Sequence, residues 1–180
     1  MTFRTTTSIA PLLALFSLLF ACSSGDDNHD NHDDHHHDEE SPAEEACIHI
    51  QEGPAAATTA EATATGASLP SVSTPHTRHD ITFVTGDDFG DERGGYVRYE
   101  ASESGDFTFY LGADVSMELS SGDTVLMAES MESTLAACEE VKSTYTFELQ
   151  GGTSYTIKFG PTQEIALGLV VEHAGEEHDH

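Results

Sequence analysis

Thr144-Tyr145-Thr146-Phe147-Glu148-Leu149-Gln150-Gly151-Gly152-Thr153-Ser154-Tyr155-Thr156-Ile157-Lys158-Phe159 is the stretch that decides the fold. Tyr145, Phe147 and Leu149 alternate with Thr144, Thr146 and Glu148. Tyr155, Ile157 and Phe159 then alternate with Ser154, Thr156 and Lys158. A period of two places one set of side chains on one face of a strand, so each half reads as a strand with one apolar and one polar side. Gln150-Gly151-Gly152-Thr153 between them carries the glycines of a tight turn.

The same rhythm extends in both directions. Upstream it recurs at Ile81 and Phe83, at Val97, Tyr99 and Ala101, at Phe107, Phe109 and Leu111, at Val115, Met117 and Leu119, and at Val125 and Met127. Downstream it recurs at Ile165, Leu167, Leu169 and Val171. Roughly seven or eight short strands, each wetting one face, predict an all-β chain folded as a single antiparallel β-sandwich of the jelly-roll or immunoglobulin-like kind. Ala55 to Ala64, rich in Ala and Thr, reads as a small-residue strand, and the two prolines of Leu69-Pro70-Ser71-Val72-Ser73-Thr74-Pro75 mark a loop. Asp87-Asp88-Phe89-Gly90-Asp91-Glu92 reads as an exposed acidic hairpin loop without the spacing of a calcium loop. One segment breaks the period: Met131, Leu135, Cys138 and Val141 are spaced by four, three and three, which predicts a short helix or ordered crossover with Cys138 on its apolar side.

Gly94-Gly95-Tyr96-Val97-Arg98-Tyr99, Glu103-Ser104-Gly105-Asp106-Phe107-Thr108-Phe109 and the Tyr145–Tyr155 stretch resemble the bacterial pre-peptidase C-terminal (PPC) sandwich. The resemblance covers residues 94–172 and rests mostly on β-hairpin chemistry. It implies a non-catalytic domain with accessory or binding roles. Residues 46–80 lie outside that pattern.

The N-terminus has a different character. Arg4 leads into an apolar run from Ile9 to Phe20. As a helix that run is roughly 18 Å long, too short for the ~30 Å of bilayer hydrocarbon, so residues 1–21 read as a secretory signal peptide. Leu19-Phe20-Ala21-Cys22 resembles the lipobox of bacterial lipoproteins, which implies lipid on Cys22 and a membrane-anchored envelope protein. Ser23 after that cysteine resembles outer-membrane sorting. Residues 22–45 then read as a disordered acidic, His-rich tether, since they hold too little apolar surface to offset the entropy of ordering. The expected sandwich occupies 46–174, and 175–180 form an acidic tail.

The full chain has 33 Asp and Glu, 6 Lys and Arg and 11 His, for a formal charge of −27. Such a balance excludes nucleic acid as a partner, because affinity there depends on neutralising phosphates. It favours cations. Beyond Cys22 only Cys47 and Cys138 remain, and an even pair in an oxidising compartment predicts a disulfide. Closing that loop would contribute about 4–5 kcal/mol by chain entropy. The alternative is that both thiolates ligate a metal together with His49.

Two groups of histidines carry candidate chemistry. His29, His32, His35, His36 and His37 are interleaved with Asp in the tether. His49, His76, His79, His173, His178 and His180 are scattered through the remainder. Imidazole with carboxylate suits Zn²⁺, Ni²⁺ or Cu²⁺. His76 and His79, three apart, would face opposite ways on a strand, and only a turn after Pro75 would let both reach one ion. There is no Gly-x-Ser-x-Gly elbow, no His-Glu-x-x-His and no phosphate-cradling loop, so the chain reads as non-catalytic. The resulting expectation is an envelope lipoprotein that binds divalent transition metal ions, for buffering or for delivery to an envelope transporter or another envelope protein. The alternative is a carbohydrate- or protein-binding adhesion module with the His tract as a spacer.

Overall fold

The computed structural model describes residues 41–65, 68–136 and 138–174. The expected signal peptide, Cys22, the five histidines of the expected tether, His178 and His180 lie outside the described residues. Among the described residues, eleven strands form two packed sheets, accompanied by one α-helix. In chain order they are α1 (Pro42–Glu52), β1 (Ala55–Thr59), β2 (Arg78–Thr82), β3 (Val84–Thr85), β4 (Arg93–Glu100), β5 (Gly105–Leu111), β6 (Met117–Ser121), β7 (Thr124–Val125), β8 (Ser130–Leu135), β9 (Cys138–Leu149), β10 (Ser154–Thr162) and β11 (Ala166–His173). One sheet runs β1-β2-β11-β5-β9-β8 and the other β3-β4-β10-β6-β7.

The alternating apolar residues meet between the sheets. Val97, Phe109, Leu111, Leu119, Ile157, Phe159 and Leu169 are fully buried there. Edge-to-face ring pairs, such as Phe109 against Phe147 at 5.8 Å, fill the centre. The two halves of the Thr144–Phe159 stretch belong to different sheets: β9 pairs with β5 and β8, whereas β10 pairs with β4 and β6. The turn between them therefore carries the chain across the sandwich and does not close a hairpin. Gly152 sits there at φ +71°, and the Tyr155 hydroxyl accepts the Gln150 backbone N–H at 2.8 Å, which fixes the corner.

Two sequence expectations are corrected. The six-stranded sheet is mixed, not antiparallel, because β1 and β2 run parallel. Parallel neighbours need a long crossover. Here residues 60–77 leave the sheet, bridge β4 of the opposite sheet at Glu61–Tyr96 and Ser71–Arg98, and return to β2. Gly95 admits this crossover, since a Cβ there would lie 2.2 Å from that of Ala60. Next, the segment expected as a helix or crossover is the hairpin β8–β9, with Met131 exposed. A register shift after Ser133 breaks the alternation. Cys138 and Val141, three apart, thus both pack beneath α1, which imitated a helical stripe in sequence. The acidic Asp87–Glu92 segment is the expected hairpin loop, joining antiparallel β3 and β4; within it Asp87–Phe89 form a 3-10 turn anchored by buried Phe89, with Asp88 accepting the Tyr96 hydroxyl at 2.9 Å.

The first described element, α1, starts before the expected domain boundary, in the last residues of the expected tether. Ser41 caps α1 by accepting the Glu44 N–H, while the Glu44 carboxylate accepts the Ser41 N–H, a complete capping box. Pro42 occupies the first turn, where its missing donor costs nothing. Ala46 and Ile50 are buried and pack with Tyr110, Cys138, Val141 and Val170 on the outer side of the six-stranded sheet. Arg78 of β2 donates to the Ile50 carbonyl at 2.7 Å and holds the C-terminal turn. Cys47 and Cys138 form a disulfide with Cα atoms 5.7 Å apart, joining α1 to the start of β9. That bond indicates an extracytoplasmic compartment.

Candidate metal centre

The helix α1 presents two flanks beside its buried stripe. Glu45 and His49, one turn apart, share a flank, and Cys47 lies about 200° around the axis from either one. The His49 Nδ1 lies 3.2 Å from the Gly53 carbonyl. Donation to that carbonyl turns Nε2 toward Glu45 Oε1, 3.5 Å away. This Nε2 is buried and has no hydrogen-bond partner among the described residues. Metal-ligating histidines are oriented in this way, by giving the other ring N–H to a backbone carbonyl or carboxylate.

His76 approaches from the turn before β2. The turn that follows Pro75 exists, with Thr77 Oγ1 donating to the Pro75 carbonyl at 2.9 Å. It holds His76 in the left-handed region at φ +48°, where a side chain with a Cβ is uncommon. His76 Nδ1 lies 3.1 Å from Glu45 Oε1 and 3.4 Å from Glu172 Oε2. The His49 and His76 rings are 5.6 Å apart. Nitrogen or oxygen atoms of Glu45, His49 and His76 all fall within 4.8 Å of one another, so that one cation can reach all three.

Glu172 stands on β11 below the helix, with only 3% of its surface exposed. Burial, and after it the negative charge of Glu172, push the Tyr110 phenol up to about 12. The site thus combines two carboxylates with two imidazoles at the margin of a small apolar cluster, where electrostatic attraction for a cation is less screened than in open water.

The other sequence candidates go elsewhere. The turn does not direct His79 to the ion that His76 would meet: its ring points inward, 2% exposed, with Nε2 3.3 Å from the Thr74 carbonyl. Burial lowers its pKa below the ordinary histidine value. His173 lies against the Phe107 ring at 4.7 Å and 3.7 Å from Glu103. Cys47 and Cys138 have their sulfurs committed to each other, which removes the thiolate alternative for His49 in this oxidised form. Sequence reasoning missed Glu45 and Glu172. Ser41-Pro42-Ala43-Glu44 signalled a helix start and, through it, the Glu45–His49 pair one turn apart. Glu172, one polar residue on a strand, carried no comparable signal.

No family model matches this chain, and no curated protein matches it by sequence.

Proposed function

We propose that this protein binds a divalent transition metal ion without catalysing a reaction, and that its folded domain holds the ion. The observation that carries this reading is the convergence of Glu45, His49 and His76 from helix and turn. The orientation of the His49 ring, with Nδ1 at the Gly53 carbonyl, supports it. The tether histidines, His29, His32, His35, His36 and His37, add a second, weaker and less selective population of ligands by composition alone. Capture by the tether with storage on the domain fits a buffering or delivery role toward an envelope transporter. The lipobox-like Leu19–Cys22 and the disulfide support placement at a bacterial envelope through lipid on Cys22. Replacing Cys22 by Ser is expected to release the protein from the membrane fraction; a variant that still sediments with membranes contradicts the anchor.

The function is tested by zinc titration of the whole mature chain in three forms. These are the unaltered protein, one with the five tether histidines and His178 and His180 changed to Asn, and that variant with His49→Ala added. The second form is expected to keep one tight equivalent and the third to lose it. Loss of all binding in the second form refutes the folded site, and the PPC resemblance would then favour the adhesion reading.

A further inference from the structure

Cys47 and Cys138 have a third donor beside them. Glu140 stands two residues beyond Cys138 on β9, and its Oε2 lies 3.6 Å from Cys138 Sγ. The Gln51 side-chain amide of α1 donates to that same oxygen at 2.9 Å and lies 3.4 Å from Cys47 Sγ. It thereby holds the carboxylate against the sulfurs, in the way that outer partners orient the ligands of metal sites. Both sulfurs and one Glu140 oxygen fall within 4.8 Å of one another. An open groove of about 490 Å³, lined by Ile50, Arg78, Gly112, Glu140, Lys142 and Gly168, adjoins the carboxylate and gives ions in solvent a way to it.

We propose that Cys47, Cys138 and Glu140 are a latent metal site, closed while the disulfide stands and opened to Zn²⁺ when a dithiol reduces it. The thiolate is the metal ligand, and a disulfide has none to offer. The reductant's thiolate attacks the half-buried Cys47 sulfur, since Cys138 is only 2% exposed. A mixed disulfide forms at Cys47 and the Cys138 thiolate leaves. The second thiol of the reductant then displaces Cys47. The dithiol gives up two electrons and two protons and becomes a disulfide, and both cysteines end as thiols. Zn²⁺ binding then releases those two protons to water. Two thiolates and a carboxylate at such close quarters repel one another, and a divalent cation removes that cost. Thiolate donors suit Zn²⁺ and not Mg²⁺ or Ca²⁺. With Zn–S bonds of ~2.3 Å and Zn–O bonds of ~2.0–2.2 Å, sulfur and oxygen ligands of a tetrahedral ion lie about 3.5 Å apart. The separation of Cys138 Sγ from Glu140 Oε2 is close to that value. Water completes the fourth position. This set differs from Glu45, His49 and His76 in its donors, its flank of α1 and its trigger, and does not depend on them.

The test uses the full mature chain with the tether and tail histidines changed to Asn and His49→Ala added, so that the imidazole sites are silent. It is reduced with dithiothreitol, which is then removed under nitrogen, and titrated with Co²⁺ as a spectroscopic stand-in for Zn²⁺. A single equivalent is expected to raise thiolate-to-cobalt charge-transfer absorption in the near ultraviolet, and Zn²⁺ is expected to displace it. The oxidised protein is expected to show no such band. Zn²⁺ is also expected to shield both thiols from iodoacetamide. Glu140→Gln preserves shape, removes the charge and is expected to weaken Zn²⁺ binding by about tenfold or more. Absence of the band in the reduced protein overturns the site. A band with unchanged Zn²⁺ affinity in Glu140→Gln overturns the role of the carboxylate. Should reduction loosen α1, seen as faster amide exchange there, Zn²⁺ is expected to restore slow exchange; exchange that stays fast at saturating Zn²⁺ overturns the proposal.

Discussion

The two faces of the six-stranded sheet are held by different means. The inner face meets the second sheet through a large continuous apolar cluster that includes Phe83, Phe109, Phe147, Phe159, Leu111 and Leu169. Among the described residues, the outer face meets α1 through Ala46, Ile50, Tyr110, Cys138, Val141 and Val170. A helix of 11 residues is marginal by itself in water, and six apolar residues give it little help. The outer layer is accordingly fastened by a disulfide on one flank and rimmed by Glu45, His49, His76 and Glu172 on the other. Burial suffices where apolar area is abundant. Where it is scarce, covalent and polar contacts take over, and the candidate site is found in that second region.

Breaking the inner face should have the largest effect. Phe109→Ala removes a fully buried ring from the centre of the sandwich and is expected to cost about 3–5 kcal/mol in denaturant unfolding. A loss below about 1 kcal/mol would show that the inner cluster does not dominate stability. The double change Cys47→Ala and Cys138→Ala probes the outer face. It is expected to cost about 2–4 kcal/mol and to speed amide exchange in α1 more than in β4 or β10. Zinc affinity should fall with it, because two of the proposed ligands, Glu45 and His49, ride on that helix. Uniform exchange across the domain, with unchanged affinity, would contradict separate fastening of the layers.

A smaller effect sharpens the contrast between the two histidine environments. His79 faces inward, and burial lowers its pKa. The folded state then resists a proton that the unfolded chain takes up as pH falls through about 6.5. Stability supplied by neutral His79 is full above that pH and declines below it, down toward the lowered folded value. His79→Gln should flatten this part of the curve in urea melts between pH 7.5 and 5.5. An identical slope in both proteins would refute it.

The legibility of the chain follows the same division. Alternation at Phe107, Phe109 and Leu111, or at Tyr155, Ile157 and Phe159, predicts two-sided strands because each inner residue has a wet neighbour. The partners of those strands were less legible. Gly151-Gly152 looks alike in a hairpin and in a corner between sheets, and only tertiary pairing distinguishes the two. In β9 the register shift mixed the period near Cys138 and Val141, so a strand resembled a helix. At the candidate site, His49 and His76 were recognisable by residue type. Their convergence depends on a capped helix that starts in the last residues of the expected tether and on a left-handed turn at His76, both of which are local features. The carboxylate of Glu172 joins them through sheet topology, to which a short sequence window is blind.

The central claim is that His49 and His76, and not the other histidines of the folded domain, receive the metal. It is tested most directly by nitrogen-15 NMR of the imidazole rings during zinc addition to the full mature chain with its tether and tail histidines replaced by Asn. The expected result is a saturating shift of the His49 Nε2 and His76 Nδ1 resonances at one equivalent, with His79 and His173 unmoved. Shifts at His79 or His173 in their place, or no saturable shift at any ring, would contradict the account.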